Sequence, residues 1–341
     1  MYSMIFDWDT SMSSTSTTTT APDALVALGL ALQAAGYRFT TITPLTHQRV
    51  NAGSEATAAA SLRDIFGWSR PFAQGALAPD LLARMREAGV LAEADGRLRA
   101  TVRASTLGGL LYFHSAYPTI DDNAVFFGPD TYRFVAAIER TLATLPVSPM
   151  RVADVGCGAG PAAIAIARRY PDAEVLALDI NEAALSLTRV NAILAGTDTV
   201  SARHSDLLDM VDGDFDLIVS NPPYLLDPMK RAYRHGGGER GAGLSLAIVE
   251  AALARLRPGG ALFLYTGVAI AGDRDDFLAQ IGPLLDLHCS DWRYEELDPD
   301  VFGEEVGTPG YADIERIAAV WLQATRRRPA AAGAPAWASV T

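Results

Sequence analysis

The chain predicts an α/β protein, a mostly parallel sheet covered by helices on both faces, with a smaller helical module on its N-terminal side. Three observations point there. From Arg151 onward, short apolar runs alternate with helix-length segments, and strands and helices at that pitch build βαβ units. A glycine-rich turn, Gly156-Cys157-Gly158-Ala159-Gly160, joins the first such run to the segment after it. The fourth run, 215–220, ends directly in Asn221-Pro222-Pro223-Tyr224.

Taken in order, residues 1–21 read as a disordered tail, because SMSSTSTTTT at 11–20 buries too little apolar surface to order itself. Residues 22–120 read as a winged-helix-like accessory module. Asp23 caps a helix whose Leu25, Leu28, Leu30 and Leu32 lead towards Gly36. A second helix covers 62–66, and a third runs over 80–88 and stops at Gly89. The runs 98–102 and 110–113 are expected to pair as a ribbon. Residues 121–325 form the sheet-bearing domain, with strands at 151–155, 174–179, 200–204, 215–220 and 261–266. Its helices are expected at 161–170, 182–194 and 244–256, the last stopped by Arg257-Pro258-Gly259-Gly260. The late runs 287–294 and 314–322 complete the sheet as an antiparallel pair. Residues 326–341 read as a flexible tail.

Composition narrows the function. Of 341 residues, 49% are apolar and 20% charged, the balance of a globular protein with a sizeable core. The absence of an apolar run of membrane-spanning length argues against a membrane partner. MYSMIFDWDT carries no basic cluster and does not read as a secretory signal. Two cysteines, Cys157 and Cys289, fit a reducing compartment, and the cytoplasm is expected. The five scattered histidines offer no metal-ligand spacing, so no metal is expected. A net charge of −12 with dispersed basic residues disfavours, without excluding, a nucleic-acid partner.

The glycine loop suits a ligand held close to the main chain. Its Gly156-x-Gly158-x-Gly160 spacing differs from the G-x-G-x-x-G of dinucleotide folds. Cys157, Ala159 and Pro161 surround the glycines without the Lys or Arg that a pyrophosphate would call for, and Asp154 precedes them. Asp179, followed by Ile180, closes the second strand, where a carboxylate can accept both hydroxyls of a ribose. Asp206-Leu207, after the third strand, reads equally as an adenine contact and as a helix cap.

Asn221-Pro222-Pro223-Tyr224 points to the reaction class. It lies at the carboxyl end of a strand, the edge where open α/β sheets place ligands. Two prolines stiffen the turn and remove two donors. Planar nitrogens are weak nucleophiles because their lone pair is delocalised. The Asn221 side-chain oxygen and the Pro222 carbonyl can accept hydrogen bonds from such an NH₂ group and hold it for attack. Tyr224 can stack on a planar acceptor.

Together these residues resemble the class I S-adenosylmethionine-dependent methyltransferases, in the branch that methylates glutamine amides and exocyclic amines of bases. The resemblance implies a Rossmann-like seven-stranded sheet with a reversed final hairpin, and S-adenosylmethionine as cofactor. Its binding residues would be Asp154, Gly156, Cys157, Gly158, Gly160, Asp179, Ile180, Asp206, Leu207 and Asn221. Within the branch, release-factor glutamine methyltransferases carry Gly-Gly-x-Asp-Gly-Leu after the Asn-Pro-Pro-Tyr. The run Gly236-Gly237-Gly238-Glu239-Arg240-Gly241-Ala242-Gly243-Leu244 is similar but expanded. Phe127-Gly128-Pro129-Asp130-Thr131 resembles the segment that covers the cofactor there, which adds Thr131 to the binding set. Tyr265-Thr266-Gly267 stands where that family has Glu-Ile-Gly, and the N-terminal region departs from its helical substrate domain.

The expected activity is therefore methylation of a planar nitrogen on a protein or small molecule, a protein glutamine or similar amide first. An exocyclic amine of RNA or DNA, a metabolite, and a non-catalytic binding module are the rival readings. His235 and Arg240 read as solvated loop residues, 298–305 as a surface loop between the last strands, and Trp68 as core of the small module.

Overall fold

The computed structural model describes residues 22–53, 59, 61–94 and 96–329; the tail expected at 1–21 and residues 330–341 of the tail expected at 326–341 lie outside them. Arg326 pairs with Cys289 in the last strand and the Arg327 N–H donates to the His288 carbonyl, so the chain is still held where the flexible tail was expected to begin. The N-terminal module opens with α1 (Pro22–Ala34), α2 (Pro44–Gly53), α3 (Leu62–Phe66) and α4 (Pro79–Glu87). Ser61 caps α3 by accepting the Asp64 backbone N–H, and Pro79 opens α4 at a position where its missing donor costs nothing. Four strands follow: β1 (Leu91–Ala94), β2 (Arg97–Ala100), β3 (Val102–Leu107) and β4 (Leu110–Ser115).

These strands correct the expected ribbon. Runs 98–102 and 110–113 do not pair with each other, because the chain breaks at Thr101 into two separate antiparallel hairpins, β1–β2 and β3–β4. The physical reason is local. Gly108 and Gly109 both adopt positive φ, which makes the two-residue turn that folds β3 back on β4. An isolated bridge from Phe72 to Leu98 ties the first hairpin to the helices. The core of this module, with Leu25, Phe66, Phe72 and Met85 fully enclosed, also takes in Val190 from the next domain. Trp68 packs edge-on against Phe39 in the same core.

The second unit begins with α5 (Pro129–Leu142) and continues β5 (Arg151–Val155), α6 (Pro161–Arg169), β6 (Glu174–Asp179), α7 (Glu182–Ala195), β7 (Val200–His204) and β8 (Phe215–Ser220). Next come α8 (Gly243–Arg255), β9 (Leu256–Ala271), a two-residue β10 (Arg274–Asp275), α9 (Asp276–His288), β11 (Cys289–Asp298) and β12 (Arg316–Arg326). The main path of the sheet runs β11-β12-β9-β8-β5-β6-β7, with the short β10 pairing to β9 off this path. The five strands from β9 to β7 are parallel, while β12 and β11 are antiparallel, as the late runs implied. Side chains alternate between two cores. Phe263 joins Phe134, Ile138 and Ile166 on the α5–α6 face, and Leu262 and Leu264 join Ile248, Leu253, Phe277 and Ile281 on the α8–α9 face.

Strand order reverses at β5 and β8: the chain moves outward from β5 through β6 to β7, then returns to β8 on the other side. Open α/β sheets bind ligands in the crevice at such a switch point. Val155 and Ser220 are register partners there, and the Ser220 hydroxyl donates to the Val155 carbonyl at 2.7 Å. The glycine loop and the Asn-Pro-Pro-Tyr turn thus leave the sheet side by side.

The two units are joined by side chains, not only by the chain. Asn191 of α7 is fully buried; its oxygen accepts the Phe113 N–H and its amide donates to the carbonyls of Phe113 and Ala159. Among the described residues no helix is long and apolar enough to cross a membrane, and no group of three or more His, Cys, Asp or Glu is placed to hold a metal ion.

Candidate active site

One cavity of about 390 Å³ sits at the switch point. Its wall includes nearly every residue singled out from the sequence: Asp154, Gly156, Cys157, Gly158, Asp179, Ile180, Asp206, Leu207, Thr131 and the whole Asn221–Tyr224 turn. Gly160 does not line it and instead starts α6.

The glycine loop is shaped by main-chain conformation. Gly156, Gly158 and Gly160 have φ of 71°, 56° and 79°, values that L side chains rarely adopt. A Cβ on Gly160 would also sit 2.8 Å from Thr188. The amides of Gly156 and Cys157 both donate to the Leu178 carbonyl, which sets the loop over the end of β6. Asp179 then accepts the Gly158 N–H at 3.0 Å and the Asn181 N–H at 2.9 Å. One bond to each oxygen fixes the carboxylate and leaves it further acceptor capacity for a ribose. Ile180 beside it is 53% exposed, an apolar surface placed to flank a flat ligand.

Asp154 is 1% exposed and accepts the Ala163 N–H in the first turn of α6. Burial, with the charge of Asp179 adding to it, pushes its carboxyl up to about 7. Burial also raises Asp179. The Cys157 thiol is raised well above its ordinary value by the same burial, so it acts as a packing group against Thr188 rather than a nucleophile. Asp206 lines the cavity with an exposed carboxylate, and Leu207 reaches it through a positive-φ backbone.

In the Asn-Pro-Pro-Tyr turn, neither the Asn221 side-chain amide nor the Pro222 carbonyl has a hydrogen-bond partner among the described residues. Both are therefore available to a ligand in the cavity. Tyr224 is placed differently from a free stacking platform. Its ring lines the cavity but is only 6% exposed, its edge meets Phe302, and its hydroxyl donates to Asp130. A side chain at Gly267 would run into that ring. The glycine stretch holds the turn from behind: a Cβ at Gly236 or Gly241 would collide with backbone atoms of Pro223 or Tyr224. Only glycine lets these two segments pack main chain against main chain.

Several wall residues carry no sequence signal. The N-terminal module supplies Pro44, and the connector after it supplies Tyr117, Pro118 and Thr119. The segment after the motif contributes Arg231, Tyr233 and Arg234, and the Tyr233 hydroxyl donates to the Thr119 carbonyl across the mouth. The loop 298–305 is more than surface: Phe302 enters the wall, Glu305 pairs with Arg234, and Asp298 pairs with Arg133. Arg240 and His235 are tied in place as well. Arg240 bridges Asp276 and Asp313, and His235 Nδ1 accepts the Asp227 N–H.

Charge in the cavity is one-sided. Asp154, Asp179 and Asp206 line it without an arginine or lysine partner among the described residues, and Asp130 lines it paired with Arg133, whereas Arg231 is held bidentately by buried Asp227 and Arg234 is paired with Glu305. An acidic chamber with a glycine cradle, a fixed carboxylate and an apolar flank fits a nucleoside carrying positive charge, and S-adenosylmethionine has that chemistry.

The family model and the proteins of similar sequence agree. The methyltransferase small domain profile matches residues 138–270. A release factor glutamine methyltransferase of Deinococcus radiodurans is 37% identical over 174 residues, 47% of this chain and 57% of that protein. One from Rhodopirellula baltica is 31% identical over 198 residues, 53% of this chain and 67% of that protein. Among solved structures, the tRNA m1G37 methyltransferase of M. jannaschii matches at 18% identity and a TM-score of 0.45, covering 67% of this chain and 58% of that one. The chain belongs to the class I S-adenosylmethionine-dependent methyltransferases.

Proposed function

We propose that the chain transfers the methyl group of S-adenosylmethionine to the side-chain amide nitrogen of a protein glutamine or a similar amide. The observation that carries this reading is that Asn221 and Pro222 line the cavity shared with the glycine loop and Asp179 while the Asn221 amide and the Pro222 carbonyl have no hydrogen-bond partner among the described residues. The similarity to release factor glutamine methyltransferases supports it.

When bound, S-adenosylmethionine supplies an electrophilic methyl on a sulfonium. The protein supplies orientation. Gly156 and Gly158 leave room against the main chain, and Asp179 holds the ribose, with Asp206 and Leu207 at the base. Asn221 Oδ1 and the Pro222 carbonyl accept the two N–H bonds of the acceptor amide and hold its nitrogen towards the methyl. These fixed acceptors also favour the pyramidal nitrogen that attack requires, because its N–H groups become more acidic as the bond forms. The turn need not reorganise to do this, since two prolines and the glycine stretch already hold it.

The arginines at the mouth are neutralised by Asp227 and Glu305, which disfavours a phosphate-bearing acceptor. Cys157 and Cys289 are both buried and free, which supports a reducing compartment such as the cytoplasm.

Calorimetric titration with S-adenosylmethionine, with NADH as the control, tests the cofactor. Transfer of radiolabelled methyl to folded proteins, RNA and metabolites tests the acceptor. The expected result is micromolar binding of the methyl donor alone and label on protein. Asn221→Ala should bind the donor as the parent does and lose transfer by about a hundredfold or more. Equal transfer by the variant would remove Asn221 from the mechanism, and label on RNA alone would replace the amide by a base amine.

A further inference from the structure

Tyr265 stands where the resemblance to the glutamine methyltransferases implies an acid, and its surroundings show what a phenol does there. The side chain is fully buried in β9 and lies outside the cavity wall. Its hydroxyl donates to Asp130 Oδ1 at 2.8 Å, while the Tyr224 hydroxyl donates to Asp130 Oδ2. Arg133, one turn further along α5, reaches Asp130 Oδ1 at 3.1 Å and Asp298 at 2.7 Å. Two phenols and a guanidinium thus converge on one buried carboxylate. That carboxylate sits in the first turn of α5, in the segment lining the cavity beside Thr131 and Phe126. An acid at 265 would face Asp130 as a like charge, whereas a phenol is a donor.

We propose that Tyr265 is a positioning residue which, through Asp130, locks the Asn-Pro-Pro-Tyr turn to the segment over the cofactor. Asp130 joins three elements that are distant in sequence: the start of α5, the turn after β8, and the middle of β9. A ligand that orders the 126–131 segment thereby orders Tyr224, and with it the Asn221 side chain three residues earlier. Arg133 extends the link to the 298–305 loop, whose Phe302 packs against the same tyrosine ring. Cofactor occupancy and the geometry of the acceptor site are coupled by side-chain bonds to a single carboxylate.

The inference rests on the reading of the cavity as an S-adenosylmethionine site. Its test is amide hydrogen exchange on the full chain with and without S-adenosylhomocysteine, comparing the parent with Tyr265→Phe and Asp130→Asn. In the parent, the product should slow exchange at Tyr224 and Leu225 as well as in 156–160. Tyr265→Phe should bind the product within about threefold of the parent and keep the protection of 156–160. It should lose about tenfold of the protection at 224–225, the scale of one hydrogen bond to a charged group. Asp130→Asn should lose more, since an amide cannot accept from both phenols through both of its atoms. Parent-like protection at 224–225 in Tyr265→Phe would overturn the proposal. So would an equal loss of protection in both segments, which would make Tyr265 a general support of the fold. If Asp130→Asn does not fold, Tyr265→Phe decides alone. Failure of the parent to bind the product would instead overturn the cofactor reading beneath the proposal.

Discussion

Asp154→Asn should flatten the pH dependence of stability. The parent carboxyl is buried, bonded to a single N–H, and pushed from 3.8 to about 7. Between pH 4 and about 7 the folded chain therefore binds more protons at this site than the unfolded chain, and the parent loses stability as pH rises through that window. Above about 7 the loss levels off. From pH 6 to pH 8 the window covers about one unit, worth about 1.4 kcal/mol from this group. That corresponds to a melting temperature lower by about 2–4 °C for a domain of this size. Asparagine keeps the shape and can still accept the Ala163 N–H, but it does not titrate. Thermal unfolding of both proteins at pH 6, 7 and 8 measures the difference. The parent should lose about 1.4 kcal/mol relative to the variant between the two ends. Parallel curves would show that the carboxyl is ionised throughout, and would refute the argument that burial and Asp179 hold its proton.

Three further outcomes follow from the same geometry. Because four carboxylates line the cavity, the cationic methyl donor should gain on its neutral product as Asp154 ionises, so the ratio of their affinities should rise from pH 6 to pH 8; calorimetry with both ligands in the parent and in Asp154→Asn checks this. Asp179→Ala should weaken donor binding by about tenfold or more, since it removes the carboxylate proposed to hold the ribose and frees the Gly158 N–H, and an unchanged dissociation constant would remove Asp179 from the site. Asn191→Leu should cost about 3 kcal/mol or more in urea unfolding, because it strands buried groups of Phe113 and Ala159 that Asn191 satisfies, and a loss under 1 kcal/mol would show that the two units barely depend on that contact.

The legible part of the site is the part where a local backbone demand selects the residue type. Positive φ requires glycine at 156, 158 and 160, a strand end presents Asp179, and two prolines after Asn221 mark a stiffened turn. Such demands are visible in a few neighbouring letters. The strands at 174–179 and 215–220 are equally plain, being short apolar runs bounded by polar turns. Helix α9 was hidden because Gly282-Pro283 reads as a stop, yet Phe277, Ile281 and Leu285 bury one face through it. Helices α2 and α5 each begin at a proline, Pro44 and Pro129, a residue that stops helices in their interior but that the first helical turn accepts. The expected ribbon fails at Thr101, where the chain passes from one hairpin to the next, and Gly108-Gly109 is the local signal that sets the second hairpin's register.

The rest of the site was illegible because its logic is tertiary. Tyr265 looked like a loss, since an acid expected at that place was missing. In the fold the residue at that place has a distant partner: the Tyr265 hydroxyl donates to the carboxylate of Asp130, 135 residues earlier. No spacing rule connects those positions, because β9 and α5 meet only when the sheet has closed. The same holds at the mouth. Tyr117 and Thr119 precede the methyltransferase unit and Tyr233 follows the motif, yet they share a wall and a hydrogen bond. A departure from a family pattern at a buried polar position is therefore informative about its partner. When Tyr265 stands for an acid, the physical question is which buried group accepts from its hydroxyl, and the answer, Asp130, lies on a segment that lines the cavity.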